Sequence, residues 1–224
     1  MAFLLLQSVP LTALGFSAVL VGLVSYGVSR GQPKLPPQAV DLLLQSSVEN
    51  VSALVEELGL KTKAVYLPSS LTGDKPKALI PIDESLEFSG KAVPNRLIVK
   101  FGLKPEAMGL LVVTPDSAVK GLVESKPDCS AGDIESGLSS VLLGTLGLAD
   151  GVRVSFSEDR VLVEVANPVF KDMKMWIYEC LGTPVASISA SVAAEVLDLP
   201  VKVVSEEFSR GKCLLELKVV RSGI

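Results

Sequence analysis

The sequence predicts an α+β fold with a single N-terminal transmembrane helix, followed by antiparallel β-hairpins with helices packed on the sheet. Three observations predict it. Residues 1–29 are largely apolar and carry no ionisable side chain, several later segments alternate apolar and polar residues around short turns, and a helix followed by a hairpin occurs twice. The first pattern is typical of a membrane span, and the other two are typical of half-buried strands and the helices that cover them.

Residues 1–29 are predicted to form a transmembrane anchor. As a helix, Leu11–Val28 would extend about 27 Å, and the residues before Pro10 bring the total to the ~30 Å of a bilayer core. A cleaved signal peptide is the alternative interpretation. It is disfavoured because no basic side chain precedes the apolar run and Val28-Ser29-Arg30 is a poor cleavage site.

The flanks of this segment and its small residues predict orientation and self-association. Arg30 and Lys34 follow the span and no Lys or Arg precedes it, which places the body in the cytoplasm by the positive-inside rule. Small residues at spacings of 3, 4 and 3 share one helix face, where two membrane helices could approach closely: Gly15, Ala18, Gly22 and Ser25. Small residues are also simply common in membrane helices, so this association is one of two interpretations.

Residues 30–59 are predicted to be a short linker and an amphipathic helix, Gln38–Leu58, that ends at Gly59. Its apolar side chains recur at spacings of 4, 3, 4 and 3: Leu44, Val48, Val51, Val55 and Leu58. Such a stripe fits either a coiled-coil stalk in a homo-oligomer or packing onto the chain's own sheet. We favour the second interpretation.

Residues 60–127 are predicted to be a β-rich part of the soluble domain. The expected elements are a hairpin of Lys63–Leu67 with Ala78–Ile82, strands over Arg96–Phe101 and Gly109–Val113, and a short helix over Pro115–Glu124.

Residues 128–224 are predicted to form an α/β domain. The stretch that begins at Ser139 resembles the stretch that begins at Ala190, because both run from a helix through a tight turn into a strand that opens Val-Arg/Lys-Val. We therefore expect an α-β-β unit used twice, with helices on one face of an antiparallel sheet. The predicted elements are helices over Asp133–Leu146, Phe170–Leu181 and Pro184–Leu197, a hairpin of Val152–Phe156 with Val161–Val165, and a hairpin of Val201–Glu206 with Cys213–Val220.

The C-terminal region, from about Asp133 onward, resembles the 4-vinyl-reductase-type small-molecule-binding domain. The residues that carry the resemblance are Cys180-Leu181-Gly182, Pro200-Val201, Glu206-Glu207 and Gly211-Lys212-Cys213. The resemblance implies a fold shared with subunits of a vesicle-tethering complex that can hold an acyl chain. That family has a further cysteine after the glutamates, where this chain has Phe208-Ser209-Arg210, so no metal or multi-cysteine site is expected.

The whole chain is also similar to uncharacterised archaeal membrane-anchored proteins. The shared patterns are Tyr66-Leu67-Pro68, Ile80-Pro81, Thr183–Ser187 and Leu199–Val201. This resemblance implies a location at the membrane and an overall architecture, and it implies no activity.

The composition excludes several function classes. The chain has no histidine, which removes Ser-His-Asp and Cys-His catalysis and histidine metal sites. A net charge of −4 argues against nucleic-acid binding. The three cysteines are far apart in sequence and are read as reduced, mostly buried thiols, although a Cys180–Cys213 bridge would be possible in an extracellular body. No glycine pattern matches a phosphate-binding loop, and we expect no cofactor.

The candidate ligand-binding residues are Trp176, Cys180, Ser187, Ser191 and Cys213, which would line a hydrophobic pocket beside a small-residue helix. Buried thiols and close helix–sheet packing are the competing interpretation. Two acidic groups have ordinary explanations. Helix-dipole complementarity accounts for Asp128, Asp133 and Glu135 without a metal, and Glu206-Glu207 reads as a solvated turn pair near Lys212.

The sequence thus predicts a membrane-anchored, non-enzymatic sensor or scaffold on the cytoplasmic face, which binds a hydrophobic small molecule or a protein partner. The alternative is a structural or assembly subunit of a membrane protein complex. No catalytic and no metal-ligating residues are predicted. The expected partners are the lipid bilayer, a possible hydrophobic ligand, and a second copy bound through the transmembrane helix and residues 44–58.

Overall fold

The computed structural model describes residues 9–31, 37–83, 92–100, 108–114, 129–170 and 175–220. The chain divides into two compact units, residues 1–49 and 50–224. The first unit contains helix α1, Val9–Gly31, and the first part of helix α2, Pro37–Glu57. The second contains the end of α2 and every described strand. Gly59, in the left-handed conformation with φ +65°, lies just beyond α2, as the sequence predicts.

Eight antiparallel strands of the second unit form one sheet, in the order β3-β4-β2-β1-β7-β8-β6-β5. Residues 60–127 and 128–224 each supply four neighbouring strands, and the pairs Val65 with Lys202 and Tyr66 with Val201 join the two halves. The strands are β1 Val65–Leu67, β2 Lys77–Pro81, β3 Ile98–Lys100, β4 Met108–Val113, β5 Gly151–Ser157, β6 Arg160–Ala166, β7 Val201–Ser209 and β8 Lys212–Val219.

The helices of the second unit begin at recognisable caps. Helix α4 has a capping box in which Ser130 and Asp133 satisfy each other's backbone amides. Helix α6 has Thr183 as its N-cap and a proline at its first position. The elements are α3 Ser69–Thr72, α4 Ala131–Ser139 continuing as a π-helical turn over Ser140–Thr145, α5 Trp176–Leu181 and α6 Pro184–Leu197.

One face of the sheet is buried across its central strands, and the other face is buried over the β1–β4 half. The buried face includes Tyr66, Val201 and Val203 beside α6, and Val163 and Leu215 further along the sheet. On the opposite face, a second apolar cluster covers the β1–β4 half: Val65, Leu67, Leu79, Val93, Val99 and Leu111. The same face of the β5–β8 half is open, and we call it the outer face.

The structure confirms an α+β fold with antiparallel hairpins. Helix–hairpin succession occurs twice, as α4-β5-β6 and as α6-β7-β8. Of the helix predicted over Phe170–Leu181, the structure shows Trp176–Leu181, preceded by the extended Met175 with φ −126° and ψ 145°, and residues 171–174 lie outside the described residues. The helix predicted over 115–124 lies outside the described residues.

The long apolar helical segment that the structure identifies is not the N-terminal one. Within the described residues, Trp176–Leu197 is the segment that could cross a membrane by length and composition, whereas Ala13–Gly27 is a shorter apolar helical stretch. Of an apolar 18-residue stretch within Trp176–Leu197, 78% is buried. Its apolarity therefore reflects the protein core that α5 and α6 help to build, and the same composition test is passed by core helices of soluble proteins.

Candidate functional site

Trp176 and Cys180 converge on one backbone carbonyl. The Trp176 Nε1–H donates to the Leu60 carbonyl at 2.8 Å, and the Cys180 thiol donates to the same oxygen at 3.4 Å. Lys61 Nζ lies 5.8 Å from the centre of the Trp176 ring. Both candidate residues thus fasten α5 to the segment that follows α2.

The two ends of α5 are also fixed to this region. The Ile177 amide donates to Ser52 Oγ at 3.3 Å, and the Tyr66 hydroxyl donates to the Leu181 carbonyl at 2.6 Å. The Ala64 amide donates to the Cys180 carbonyl at 2.8 Å. Burial raises the pKa of the Cys180 thiol, Lys63 lowers it, and Glu179 raises it further. A buried thiol with a raised pKa is a poor nucleophile at neutral pH.

Cys213 belongs to a different cluster, at the start of α6. Glu206 of β7 accepts a hydrogen bond from the Thr183 amide at 3.0 Å and a second from the Thr183 hydroxyl. The Cys213 Sγ lies 3.8 Å from the same carboxylate. Burial, together with the Glu206 carboxylate, raises the pKa of Cys213 to about 12. Glu206 therefore places a carboxylate at the N-terminus of α6, where the helix dipole and the backbone amides stabilise a negative charge.

The expected solvated pair of Glu206-Glu207 with Lys212 is wrong for this structure. The Lys212 ammonium pairs with Glu164 at 2.6 Å, and this hydrogen bond lowers the pKa of the Glu164 carboxyl. Only Glu207 of the two glutamates is exposed. Gly182, with φ +78°, makes the carboxylate's approach possible, because a Cβ there would lie 2.9 Å from the Ala186 Cβ and 3.5 Å from Glu206 Oε2.

Ser187 and Ser191 lie on α6 with almost no solvent exposure. Their hydroxyls, and that of Ser189, have no hydrogen-bond partner in the described part of the chain. The five candidate ligand-binding residues are thus placed in two clusters and one helix face, all within packed structure except the partly exposed Trp176. Their assignment as ligand contacts stays a prediction. Cys180 and Cys213 are free thiols.

Two acidic residues of α4 accept hydrogen bonds from backbone amides. Asp133 Oδ2 accepts from the Ser130 amide at 3.0 Å, and Glu135 Oε2 accepts from the Val154 amide of β5 at 2.8 Å. Asp128 lies outside the described residues. Among the described residues there is no group of three or more His, Cys, Asp or Glu side chains that could hold a metal ion.

The outer face carries a shallow groove of about 570 Å³, which sequence reasoning did not identify. Exposed Leu162 and Leu214 lie in it beside charged groups, among them Arg153, Glu164 and Glu207. Cross-strand ion pairs, Arg160 with Glu216 and Lys212 with Glu164, link the strands of this face. The alternating pattern that identified the strands was the available signal, because it requires one face of each hairpin to point away from the core.

Both N-terminal helices expose large apolar side chains. On α1 they are 57–74% exposed and occur around the helix: Leu14, Phe16, Val19, Leu20, Val21, Leu23, Val24 and Tyr26. Ala18 and Ser25 are exposed as well, and side chains built at Gly15 and Gly22 would meet nothing within 4 Å. On α2, Val55 is fully buried, whereas large apolar side chains on α2 and at the residue after its end are 37–68% exposed: Leu42, Leu43, Leu44, Val51, Leu54 and Leu58.

Comparison with known proteins gives a family and no activity. No curated protein and no solved structure matches the chain. A family model described as "Domain of unknown function (DUF7982)" matches residues 2–218. Because the match covers nearly the whole sequence, N-terminal helix and sheet together, the chain belongs to the DUF7982 family.

Proposed function

We propose that this protein is a membrane-anchored, non-enzymatic scaffold module, held by α1 with its body on the cytoplasmic face, which binds a protein partner. The observation that carries the proposal is the exposure of apolar side chains around α1. A helix that is hydrophobic all round belongs either in a protein core or in a bilayer. The 23 residues of α1 are long enough for the ~30 Å hydrocarbon core. Arg30 and Lys34 support the orientation.

The state of the candidate reactive groups supports binding over catalysis. Burial raises the pKa of the Cys180 and Cys213 thiols, so both are protonated at neutral pH. Glu206 and Glu135 accept hydrogen bonds from backbone amides. These groups are occupied in holding α6 and β5 in place.

The outer face supports a protein partner. Its exposed leucines lie among charged side chains, a mixture typical of the rim and core of transient interfaces. A structural subunit of a membrane complex would use the same surface. Affinity purification of the tagged full chain from native membranes separates the two roles. A stoichiometric partner that withstands washing supports the assembly subunit, and a partner recovered only after cross-linking supports the transient scaffold.

The anchor is tested by charging the middle of α1. Replacing Leu20 and Val24 together by arginine costs about 5–7 kcal/mol of insertion free energy, by the translocon scale. We expect the membrane-bound fraction in a flotation assay to fall at least tenfold. The control variant Leu20→Val with Val24→Leu keeps the composition and should float like the natural chain. Equal flotation of the arginine variant would overturn the anchor.

A hydrophobic small molecule is the second candidate occupant. It is favoured by the hydroxyls of Ser187, Ser189 and Ser191, which have no hydrogen-bond partner among the described residues although buried polar groups ordinarily have one. The resemblance to the 4-vinyl-reductase-type domain favours it as well. Native mass spectrometry of the full chain in mild detergent tests it. A reproducible mass adduct, lost in a Ser187→Ala, Ser191→Ala variant, supports the ligand, and a bare chain mass contradicts it.

A further inference from the structure

In the C-terminal half of helix α2, one apolar face packs on other described residues and a second apolar face is exposed. Val55 is fully buried and Ser52 is 8% exposed, with its Oγ accepting the Ile177 amide. Val51, which precedes Ser52, is 37% exposed, and Leu54, which precedes Val55, is 41% exposed. The face that packs on the body and the face that remains open are thus adjacent and distinct.

The open face has the spacing of a coiled-coil seam. Leu44, Val51 and Leu58 are seven residues apart, and Leu54 lies three residues after Val51 and four before Leu58. Ser47 continues this spacing between Leu44 and Val51. In heptad terms the first three are a positions, and Ser47 and Leu54 are d positions. The Leu58 amide donates to the Leu54 carbonyl at 3.1 Å, so the helical geometry continues to the last seam residue.

The acidic side chains of α2 occupy none of the a and d positions of this seam. Glu49 and Glu56 fall at the f position, on the far side of the helix, whereas Asp41 falls at e and Glu57 at g, the positions that flank a seam. The helix contains no Lys or Arg. Two copies can therefore meet along the seam without bringing their glutamates face to face, whereas a seam lined by like charges would repel its own copy.

We propose that the occupant of this seam is α2 of a second copy of the chain, in a parallel, in-register two-stranded coiled coil. The inference rests on the proposed membrane anchoring, because two α1 helices in one bilayer hold their α2 helices in the same direction and raise their effective concentration. A two-fold interface is self-complementary, which suits a seam whose residues are apolar or small. The seam joins the two bodies and leaves the outer face free for another partner.

Disulfide trapping in native membranes tests the seam residue by residue. Cys129, which is partly exposed, is first replaced by serine, while Cys180 and Cys213 stay because they are buried. Val51→Cys and Leu54→Cys then report the seam, and Glu49→Cys and Glu56→Cys are controls on the opposite side of the same helix. Across a parallel seam, matching positions approach to the roughly 4.4–6.8 Å between Cα atoms that a disulfide needs.

Under mild oxidation we expect Val51→Cys and Leu54→Cys to form a dimer of twice the chain mass at least ten times faster than the two controls. Equal rates at all four positions, no dimer at the seam positions, or adducts only with other proteins would overturn the proposal. The same samples are divided into membrane and soluble fractions. A soluble chain that still cross-links at the seam refutes the anchor alone, and a membrane-bound chain that does not cross-link refutes the seam alone.

Discussion

Glu206 shows how one inserted residue decides the role of a side chain. In β7, Val201 and Val203 face the helices, and simple alternation would turn Ser205 and Glu207 to the same side. A register shift between Val203 and Ser205 reverses the alternation, so that Glu206 pairs with Leu215 on the helix side and reaches Thr183. The sequence carries no local signal for the bulge. Glu206 was expected in a solvated turn pair because the predicted strand ended there, whereas β7 continues to Ser209.

The raised pKa of the Cys213 thiol predicts that the free energy of unfolding depends on pH. The thiol's ordinary pKa is 9.0 and its folded value is about 12, so the folded state holds the proton more tightly than the unfolded state. The resulting stabilisation is fully present below pH 9 and is lost as the pH rises from 9 towards 12, by at most about 1.4 kcal/mol per pH unit. Urea unfolding of the full chain in mild detergent, followed through Trp176 fluorescence, measures it.

Cys213→Ala is the matched variant for this prediction. It removes the titrating thiol, so its free energy of unfolding should fall less steeply than that of the natural chain between pH 9 and pH 11. Other groups titrate equally in both proteins, and the difference between the two curves isolates Cys213. Parallel curves would show that the thiol does not hold its proton in the folded state.

At the scale of secondary-structure elements, local pattern predicted the hairpins well and long-range contacts poorly. Strict alternation identified β5 and β6, and α6 has the predicted bounds. The β1–β7 pair joins residues that are far apart in sequence, and only two residue pairs form it. No periodicity within either strand specifies such a partner. The predicted stripe on α2 is divided for a similar reason, because the body takes Val55 and leaves Leu44, Val51 and Leu58 exposed.

Strand β5 is the last strand of the sheet, and Glu135 protects its edge. Its carboxylate accepts the Val154 amide, which points away from β6 at the middle of the strand. Free edge amides invite pairing with other chains, and natural proteins cover them with charged groups. We expect Glu135→Ala to lower the free energy of unfolding by about 1–2 kcal/mol and to increase concentration-dependent association.

Glu135→Gln is the control for the edge, because its side-chain oxygen can still accept the Val154 amide. It should retain most of the stability and remain as dispersed as the natural chain in sedimentation experiments. If the alanine and glutamine variants behave alike, the charge of Glu135, and not its hydrogen bond, protects the strand. If neither differs from the natural chain, Glu135 has no role at the edge.

For the whole molecule, the fold class followed from composition and alternation, whereas the site required the three-dimensional structure. Residues 60–127 and 128–224, which were predicted as two parts of the soluble region, contribute strands to one continuous sheet. The candidate ligand residues lie mostly in its packed interior, and among the described residues apolar side chains are exposed on the outer face, on α1 and on α2. The exposed apolar side chains of the molecule therefore lie where a bilayer and other proteins could cover them.

Membrane anchoring by α1 is the claim on which the proposed function depends. Extraction of native membranes at alkaline pH, which strips peripheral proteins and leaves integral ones, tests it directly on the full natural chain. The account predicts that the chain stays in the membrane pellet and is released only by detergent. Recovery of the chain in the alkaline supernatant would contradict it.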